Sequence, residues 1–180
     1  DILENHIASA RCAPSRASLM TGRYPIRTGF WRGNFKREEE FGLDLDETLL
    51  PEMMKRNGYA THGVGKWHLG SHTWEHTPVK RGFETFFGGY LAEQDYFKHT
   101  NHGALDFREN YFDEIGHLVD KVRDNLTGQY NTYLFTNKSI ELIQSHDQGK
   151  PLFLYLAYTA PHYPHQAPAK DVNKFASNPV

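Results

Sequence analysis

The stretch PLFLYLAYT, residues 151–159, is a continuous apolar run of strand length. Such a run, rich in aromatic residues, is typical of a strand that is buried on both faces of a parallel sheet. It follows an amphipathic pattern over residues 131–149, which places Leu134, Ile140 and Ile143 on or near one face of a predicted helix. A helix followed by a buried strand is the unit from which α/β folds are built.

A second helix–strand pair lies earlier in the chain. Residues 46–58, DETLLPEMMKRNG, predict a helix that Asp46 caps and that stops at Gly58. The following residues, YATHGVG (59–65), predict a strand. Residues 80–115 predict only loops and short elements. Because the helix–strand pattern occurs twice, the sequence favours an α/β fold with a parallel sheet.

Composition argues against several classes of protein. The 180 residues carry a net charge of -2, so no basic patch points to nucleic acid or to an anionic membrane surface. A single cysteine excludes a disulfide scaffold and a cysteine-rich zinc site. No apolar run is long enough to span a bilayer, so no membrane span is predicted.

Chemically active side chains follow both predicted strands. Lys66 and His68 occur in GKWHLG, and in extended chain an i, i+2 pair projects to the same side. His162 occurs in APHYPHQAP, a loop that its prolines stiffen, whereas His165 lies farther from the strand end and is expected to be peripheral. The carboxyl ends of parallel strands are where ligands bind in open sheets, so this edge is the candidate site. The alternative is a surface lysine and structural or solvated histidines.

The segment RCAPSRASLMTGR, residues 11–23, contains the one cysteine, Cys12, just before a helix predicted to begin near Ser15. A lone cysteine is most often a small buried hydrophobe. The alternative is a thiolate nucleophile activated by the helix N-terminus and by Arg11 or Arg16. The same N-terminus attracts sulfate or phosphate, and Arg16 adds a forked donor for such an anion.

Two triplets match the N-glycosylation sequon, at Asn125 and at Asn137. Asn137 lies inside a predicted helix. Asn125 is therefore the expected acceptor if the protein is secretory.

Three segments together resemble a known family. CAPSRASLMTGR (12–23) resembles the first sulfatase signature, GYATHGVGKWHLG (58–70) resembles the second, and APHYP (160–164) resembles the third active-site segment of the family. Their order and spacing also fit. The linking text, including LDETLLPEMMKRNGY and RGFETFFGGYLAEQDYF, is most similar to the arylsulfatase B, or N-acetylgalactosamine-4-sulfatase, group. The resemblance covers nearly the whole chain.

The resemblance implies an α/β fold of the alkaline-phosphatase-like type, with a mixed or parallel sheet sandwiched by helices. Residues 1–180 are then expected to be a partial domain, a fragment of the N-terminal catalytic domain that lacks its first strand and its C-terminal part. The family's calcium is held partly by two acidic pairs, which are expected before Asp1 and after Val180. Only the modified Cys12 is expected to bind calcium from within this chain.

The resemblance also implies a covalent mechanism. A separate formylglycine-generating enzyme would convert Cys12 to formylglycine, whose hydrated aldehyde carries two hydroxyl groups. One hydroxyl, held near the calcium ion, would attack sulfur and displace the alcohol, and the second would then expel sulfate.

Four further residues take roles from the matching positions of the family. Arg16 would steady the formylglycine and offset negative charge, and Lys66 would bind the sulfate oxygens. His68 would contact the formylglycine hydroxyl and act as a base in sulfate release. His162 would contact the sulfate and the bridging oxygen and assist the leaving alcohol.

The resemblance thus predicts hydrolysis of sulfate esters, on a sulfated sugar such as N-acetylgalactosamine 4-sulfate or on an aryl sulfate, in a lysosomal or secreted protein. The 180-residue fragment alone is expected to be inactive. Two alternatives stay open. One is a formylglycine-dependent phosphonate or phosphodiester hydrolase. The other is an inactive fragment or pseudoenzyme that acts only as a binding module.

Overall fold

A computed structural model of the chain describes residues 9–35 and 38–176. The α-helices in these ranges are α1 (Cys12–Thr21), α2 (Leu50–Arg56), α3 (Asn131–Gln144) and α4 (Ala169–Val172). The strands are β1 (Ala60–Lys66), β2 (Thr85–Gly89), β3 (Thr100–Asn101), β4 (Ala104–Leu105), β5 (Arg108–Phe112), β6 (Leu118–Val122) and β7 (Leu152–Ala157).

The main sheet has five strands in the order β6-β5-β2-β1-β7. β1 runs parallel to both β2 and β7, whereas β5 pairs antiparallel with β2 and with β6. The predicted α/β class is confirmed, and the sheet is mixed. Because β1, β2 and β7 are parallel, their carboxyl ends meet at one edge, where Lys66, Gly89 and Ala157 end the three strands.

Apolar side chains cover both faces of this sheet. The consecutive residues Phe86 and Phe87 of β2 belong to different clusters, since neighbouring strand residues point to opposite faces. Phe86 packs in the cluster that includes Ala17 of α1, and Phe87 packs with Phe135 of α3. The helices therefore lie on both sides of the sheet, as the family resemblance implied.

The helix boundaries differ from the predictions. α1 begins at Cys12 rather than near Ser15, and it ends before Gly22, whose positive φ of 69° lets its N–H reach the carbonyl of Ser18. The Asp46 cap is wrong, because α2 begins only at Leu50. Its first turn is closed instead by Glu52, whose carboxylate accepts the N–H of Leu49 at 3.1 Å.

The prediction missed β2, which lies within the region expected to contain only loops and short elements. The face predicted for α3 is also wrong in part. Ile140 and Ile143 are 46% and 51% exposed, and Phe135 and Ser139 are buried instead. The sheet contacts the helix along the row of Phe135 and Ser139.

β7 is half-buried over most of its length rather than buried on both faces. It forms one edge of the sheet and pairs only with β1 among the described strands. The described part of the chain contains no helix long and apolar enough to cross a membrane.

Candidate active site

α1 and β1 bring Cys12 and Lys66 to the same groove at the carboxyl edge of the sheet. Cys12 is the first residue of α1 and is half-buried, whereas Lys66 ends β1 and is only 4% exposed. Both line a groove of about 630 Å³, together with Arg16 and His162. Cys12 is thus accessible at a helix N-terminus, and the interpretation of a fully buried, inert thiol is wrong.

Arg16 connects α1 to the parallel strands β1 and β7. Its Nη1 donates to the carbonyl of Lys66 at 2.6 Å and to the hydroxyl of Tyr155, in β7, at 2.9 Å. Its Nε is buried and has no hydrogen-bond partner among residues 9–35 and 38–176. The guanidinium is therefore fixed in place at the groove, where its charge favours an anion.

Lys66 is a buried cation beside a second cation. Burial, and then the charge of Arg16, lowers the pKa of Lys66 to about 8, and the nearby Cys12 opposes this shift. Most Lys66 side chains are thus still protonated at neutral pH. Two positive charges that converge beside Cys12 favour an anionic ligand there.

His68 occupies a neighbouring cavity rather than the groove itself. Its backbone has a left-handed φ of 55°, so the extended geometry ends before it, and its ring lies 4.9 Å from that of Phe35. It lines a cavity of about 330 Å³. The predicted projection of Lys66 and His68 to one side depended on extended geometry, which does not continue to His68.

The environment of His68 keeps its ring neutral. Burial, and then the positive charges of Lys66 and Arg16, lowers the pKa of His68 to about 3. The backbone of Phe35 opposes this shift, but neither ring nitrogen forms a well-aligned hydrogen bond with a described residue. A neutral imidazole with free nitrogens can accept a proton or a hydrogen bond.

His162 also lines the groove, from the loop that follows β7. Its Nδ1 lies 2.7 Å from the carbonyl of Tyr163. Because a carbonyl oxygen only accepts, this contact assigns the ring proton to Nδ1 and leaves Nε2 free. His165, four residues before α4, is exposed and does not line the groove.

The sequence reasoning missed two residues of the site: Tyr155, which lines the groove, and Asn34, which lines the cavity of His68. Tyr155 anchors Arg16, and Asn34 accepts the N–H of Ala13 at 3.0 Å in the first turn of α1. Alternation along the strand could have placed Tyr155 on one face of β7, but no sequence signal marks Asn34.

Metal ligands are scarce around this groove. Within residues 9–35 and 38–176, no group of three or more His, Cys, Asp or Glu side chains could hold a metal ion. Calcium takes six to eight oxygen ligands, so the described residues alone do not fit it. The two acidic pairs predicted outside residues 1–180 stay a prediction.

Asn125 is exposed in a short turn, as a glycosylated asparagine must be.

The comparison with protein families decides the classification. The family described as Sulfatase matches residues 2–179. The chain belongs to the sulfatase family. Among curated sulfatases, arylsulfatase J of Mus musculus is 38% identical over 97% of this chain and 29% of its own length. The N-acetylgalactosamine-6-sulfatase of Homo sapiens is 33% identical over 87% of the chain and 31% of its own length. The special closeness to the arylsulfatase B group stays a prediction.

Solved structures of other proteins share the fold. The crystal structure of Ps i-CgsB in complex with k-i-k-neocarrahexaose superposes with a TM-score of 0.73 at 31% identity, over 94% of this chain and 39% of that one. BT4656, in complex with D-glucosamine-2-N,6-O-disulfate, has a TM-score of 0.63 at 22% identity over 96% of this chain and 29% of that one, and it supports the fold alone. The predicted alkaline-phosphatase-like fold is confirmed. The chain spans about a third of the length of these relatives.

Proposed function

We propose that the protein hydrolyses sulfate esters of sugars, such as N-acetylgalactosamine 4-sulfate, with a formylglycine derived from Cys12. One observation carries the proposal: an accessible cysteine at a helix N-terminus lies in one groove with Arg16 and Lys66. A sulfate ester brings one negative charge to that groove, and the two cations and the helix N-terminus stabilise it. The Sulfatase family match supports the same chemistry.

The formylglycine would supply a nucleophilic hydroxyl and a second hydroxyl through which sulfate is released. Arg16 and Lys66 would hold the sulfate oxygens next to residue 12. Because charge spreads over these oxygens in the transition state, fixed cations stabilise it more than water does. The hydrogen bond from the Arg16 guanidinium to the Lys66 carbonyl keeps the two cationic residues next to each other.

His68 and His162 would handle protons at different points of the reaction. His162 would give a proton to the departing alcohol from Nε2, and it would be protonated on both nitrogens before that step. His68 would accept a proton during sulfate release, as the resemblance implies. Burial and the charges of Lys66 and Arg16 keep its ring neutral before that step.

The proposal includes partners that the family predicts. A formylglycine-generating enzyme would recognise the segment around Cys12, and the site of action would be lysosomal or extracellular. Calcium would supply electrostatic stabilisation of the attacking oxygen. Cys12, as formylglycine, is the one ligand for calcium that we predict within this chain.

The test uses the complete gene product, expressed together with a formylglycine-generating enzyme. We expect release of sulfate from 4-nitrophenyl sulfate and from a sulfated disaccharide, and little hydrolysis of bis(4-nitrophenyl) phosphate. Faster phosphodiester than sulfate-ester hydrolysis would instead support the phosphodiesterase alternative. A purified, formylglycine-containing protein that hydrolyses neither class would support the pseudoenzyme alternative.

A Cys12→Ser variant gives the matched control for the nucleophile. A serine hydroxyl can attack sulfur but has no second hydroxyl with which to expel sulfate. We therefore expect at most one equivalent of alcohol to be released per protein. Continuous turnover by this variant would contradict the role of the formylglycine.

A further inference from the structure

The loop that carries His162 is attached to a second loop at two points. The hydroxyl of Tyr96 donates to the carbonyl of His162 at 2.6 Å. Four residues farther along, Gln166 uses both ends of its amide: its Oε1 accepts the N–H of Tyr96 at 2.7 Å and its Nε2 donates to Asp95 at 3.0 Å. The dipeptide Asp95-Tyr96 therefore holds the loop on both sides of residues 163–165. We call Asp95, Tyr96 and Gln166 the loop clamp.

The loop clamp is itself fixed to the rest of the domain. Tyr96 is buried, and its carbonyl accepts the N–H of Asn131 at the start of α3 at 2.9 Å. Asp95 accepts the N–H groups of Phe97 and Lys98 at 3.0 and 2.7 Å, which closes a turn around it. Because Asp95 and Tyr96 have partners on several sides, they form a rigid support rather than a second mobile loop.

The backbone of this loop determines where the His162 ring points. The ring is held by Nδ1 against the carbonyl of Tyr163, the next residue. Any shift of the backbone at residues 162–163 therefore moves Nε2, the ring nitrogen that the contact with Tyr163 leaves free. Tyr96 bonds to this part of the backbone directly.

We infer that the loop clamp positions His162 for proton donation to the leaving alcohol, so that Asp95, Tyr96 and Gln166 are positioning residues for the reaction. This inference rests on the proposed function. None of the three residues lines the groove with Cys12 and Lys66. They act only through the placement of His162.

The leaving group distinguishes positioning from a general structural role. A sugar alcohol is a poor leaving group and needs a proton in the transition state, whereas 4-nitrophenolate leaves without one. Displacement of His162 should therefore slow hydrolysis of sugar sulfates and hardly affect aryl sulfates. A general loss of structure would slow both substrates equally.

The first variant is Tyr96→Phe, made in the complete, formylglycine-containing protein. We expect kcat for a sulfated sugar to fall about 10- to 100-fold, because a misplaced proton donor loses much of its effect. With 4-nitrophenyl sulfate we expect a change of less than about threefold. Tyr130→Phe is the matched control: its ring packs 5.9 Å from that of Tyr96, but its hydroxyl has no hydrogen bond in the described part of the chain. It should leave both rates unchanged.

A charge exchange tests the second attachment point. Gln166→Glu places a carboxylate against that of Asp95 and should slow hydrolysis of the sugar sulfate. Adding Asp95→Asn restores the hydrogen bond between positions 95 and 166, because the amide at 95 now donates to the carboxylate at 166. That carboxylate still accepts the N–H of Tyr96. We expect the double variant to recover most of the lost rate. Failure to recover in a folded double variant would contradict the clamp.

Amide hydrogen exchange separates this inference from the proposed function. The amide of His162, which donates to the carbonyl of Thr159 at 3.0 Å, should exchange faster in Tyr96→Phe than in the wild type and in Tyr130→Phe. Equal loss of rate on both substrates, or unchanged rates and unchanged exchange, would overturn the inference even if the wild type is an active sulfatase. A wild type that hydrolyses no sulfate ester would overturn the proposed function, and with it the role of His162, even if the exchange result holds.

Discussion

His68 is an imidazole that the fold keeps neutral, and this makes the stability of the domain depend on pH. The side chain is 1% exposed, and its pKa is lowered from 6.5 to about 3. Below pH 6.5 the unfolded chain binds a proton at this residue, whereas the folded chain does not bind one until about pH 3. Acidification therefore favours the unfolded state over this range, and the contribution of His68 to stability falls as the pH falls.

We predict that His68→Gln makes the acid dependence of stability shallower. Between pH 6.5 and 4.5, the wild type should lose about 2–3 kcal/mol of unfolding free energy that the variant does not lose. Urea unfolding at several pH values measures this difference. Curves for the two proteins that run parallel from pH 7.5 to 4.5 would show that His68 is not held neutral.

Single residues differ in how far the sequence could place them. The positions of Cys12, Lys66 and His162 could be predicted because strand exits and a helix start mark them. Their supports could not, since Tyr155 and Tyr96 are ordinary aromatic residues until the fold brings them, from distant parts of the chain, to Arg16 and His162.

At the scale of elements, β1 approaches both of its neighbours unusually closely. Gly65 has a φ of 106°, and a Cβ there would lie 2.0 Å from the carbonyl oxygen of Ala157 in β7. A Cβ on Gly88 in β2 would lie 1.9 Å from the carbonyl oxygen of Gly65. The three parallel strands that present the site therefore require glycine just before Lys66.

We predict that Gly65→Ala destabilises the domain by at least about 3 kcal/mol, because the new methyl group meets rigid backbone in a strained conformation. Gly58→Ala is the matched control, since Gly58 also has a positive φ, of 83°, but has open space around it. It should cost about 1–2 kcal/mol. If urea unfolding showed that both variants lose the same free energy of unfolding, this would contradict the close approach of β1 to its neighbouring strands.

The same glycines explain why β2 could not be predicted. Glycine normally weakens a strand, so FETFFGG suggests a turn until the close approach of β1 is known. For α3, helical periodicity identified the helix but not its buried face. Isoleucine and phenylalanine both mark an apolar face, and only the position of the sheet selects Phe135 over Ile140 and Ile143.

At the scale of the whole molecule, one buried arginine joins segments that are distant in sequence. Arg81 pairs with Glu52 of α2 at 3.1 Å and also donates to three backbone carbonyls in the loop that precedes α2. These belong to Leu43, Asp44 and Glu47. Glu52 in turn closes the first turn of α2. A planar fork of donors is needed to make these bonds together.

We predict that Arg81→Lys costs about 2–4 kcal/mol, because an ammonium group keeps the charge but leaves buried carbonyls without donors. Arg56→Lys, on the exposed end of α2, is the control and should change stability by less than about 0.5 kcal/mol. Both are measured by chemical denaturation. If both variants changed the free energy of unfolding by a similarly small amount, only the charge of Arg81 would matter for stability.

The α/β class and the location of the site followed from local patterns, because each strand exit carries its own chemistry. The order of the strands did not, since pairing of β2 with β5 depends on contacts between segments that no single stretch encodes. The end of the extended geometry at His68 likewise depends on a positive φ that the sequence pattern did not show.

Peptide mass spectrometry across residue 12 tests the central claim most directly, on the complete protein isolated from its natural host. We predict that the peptide is about 18 Da lighter than the sequence requires, the change from a thiol to an aldehyde that creates this nucleophile. An unmodified Cys12 thiol in a preparation that hydrolyses sulfate esters would contradict the account.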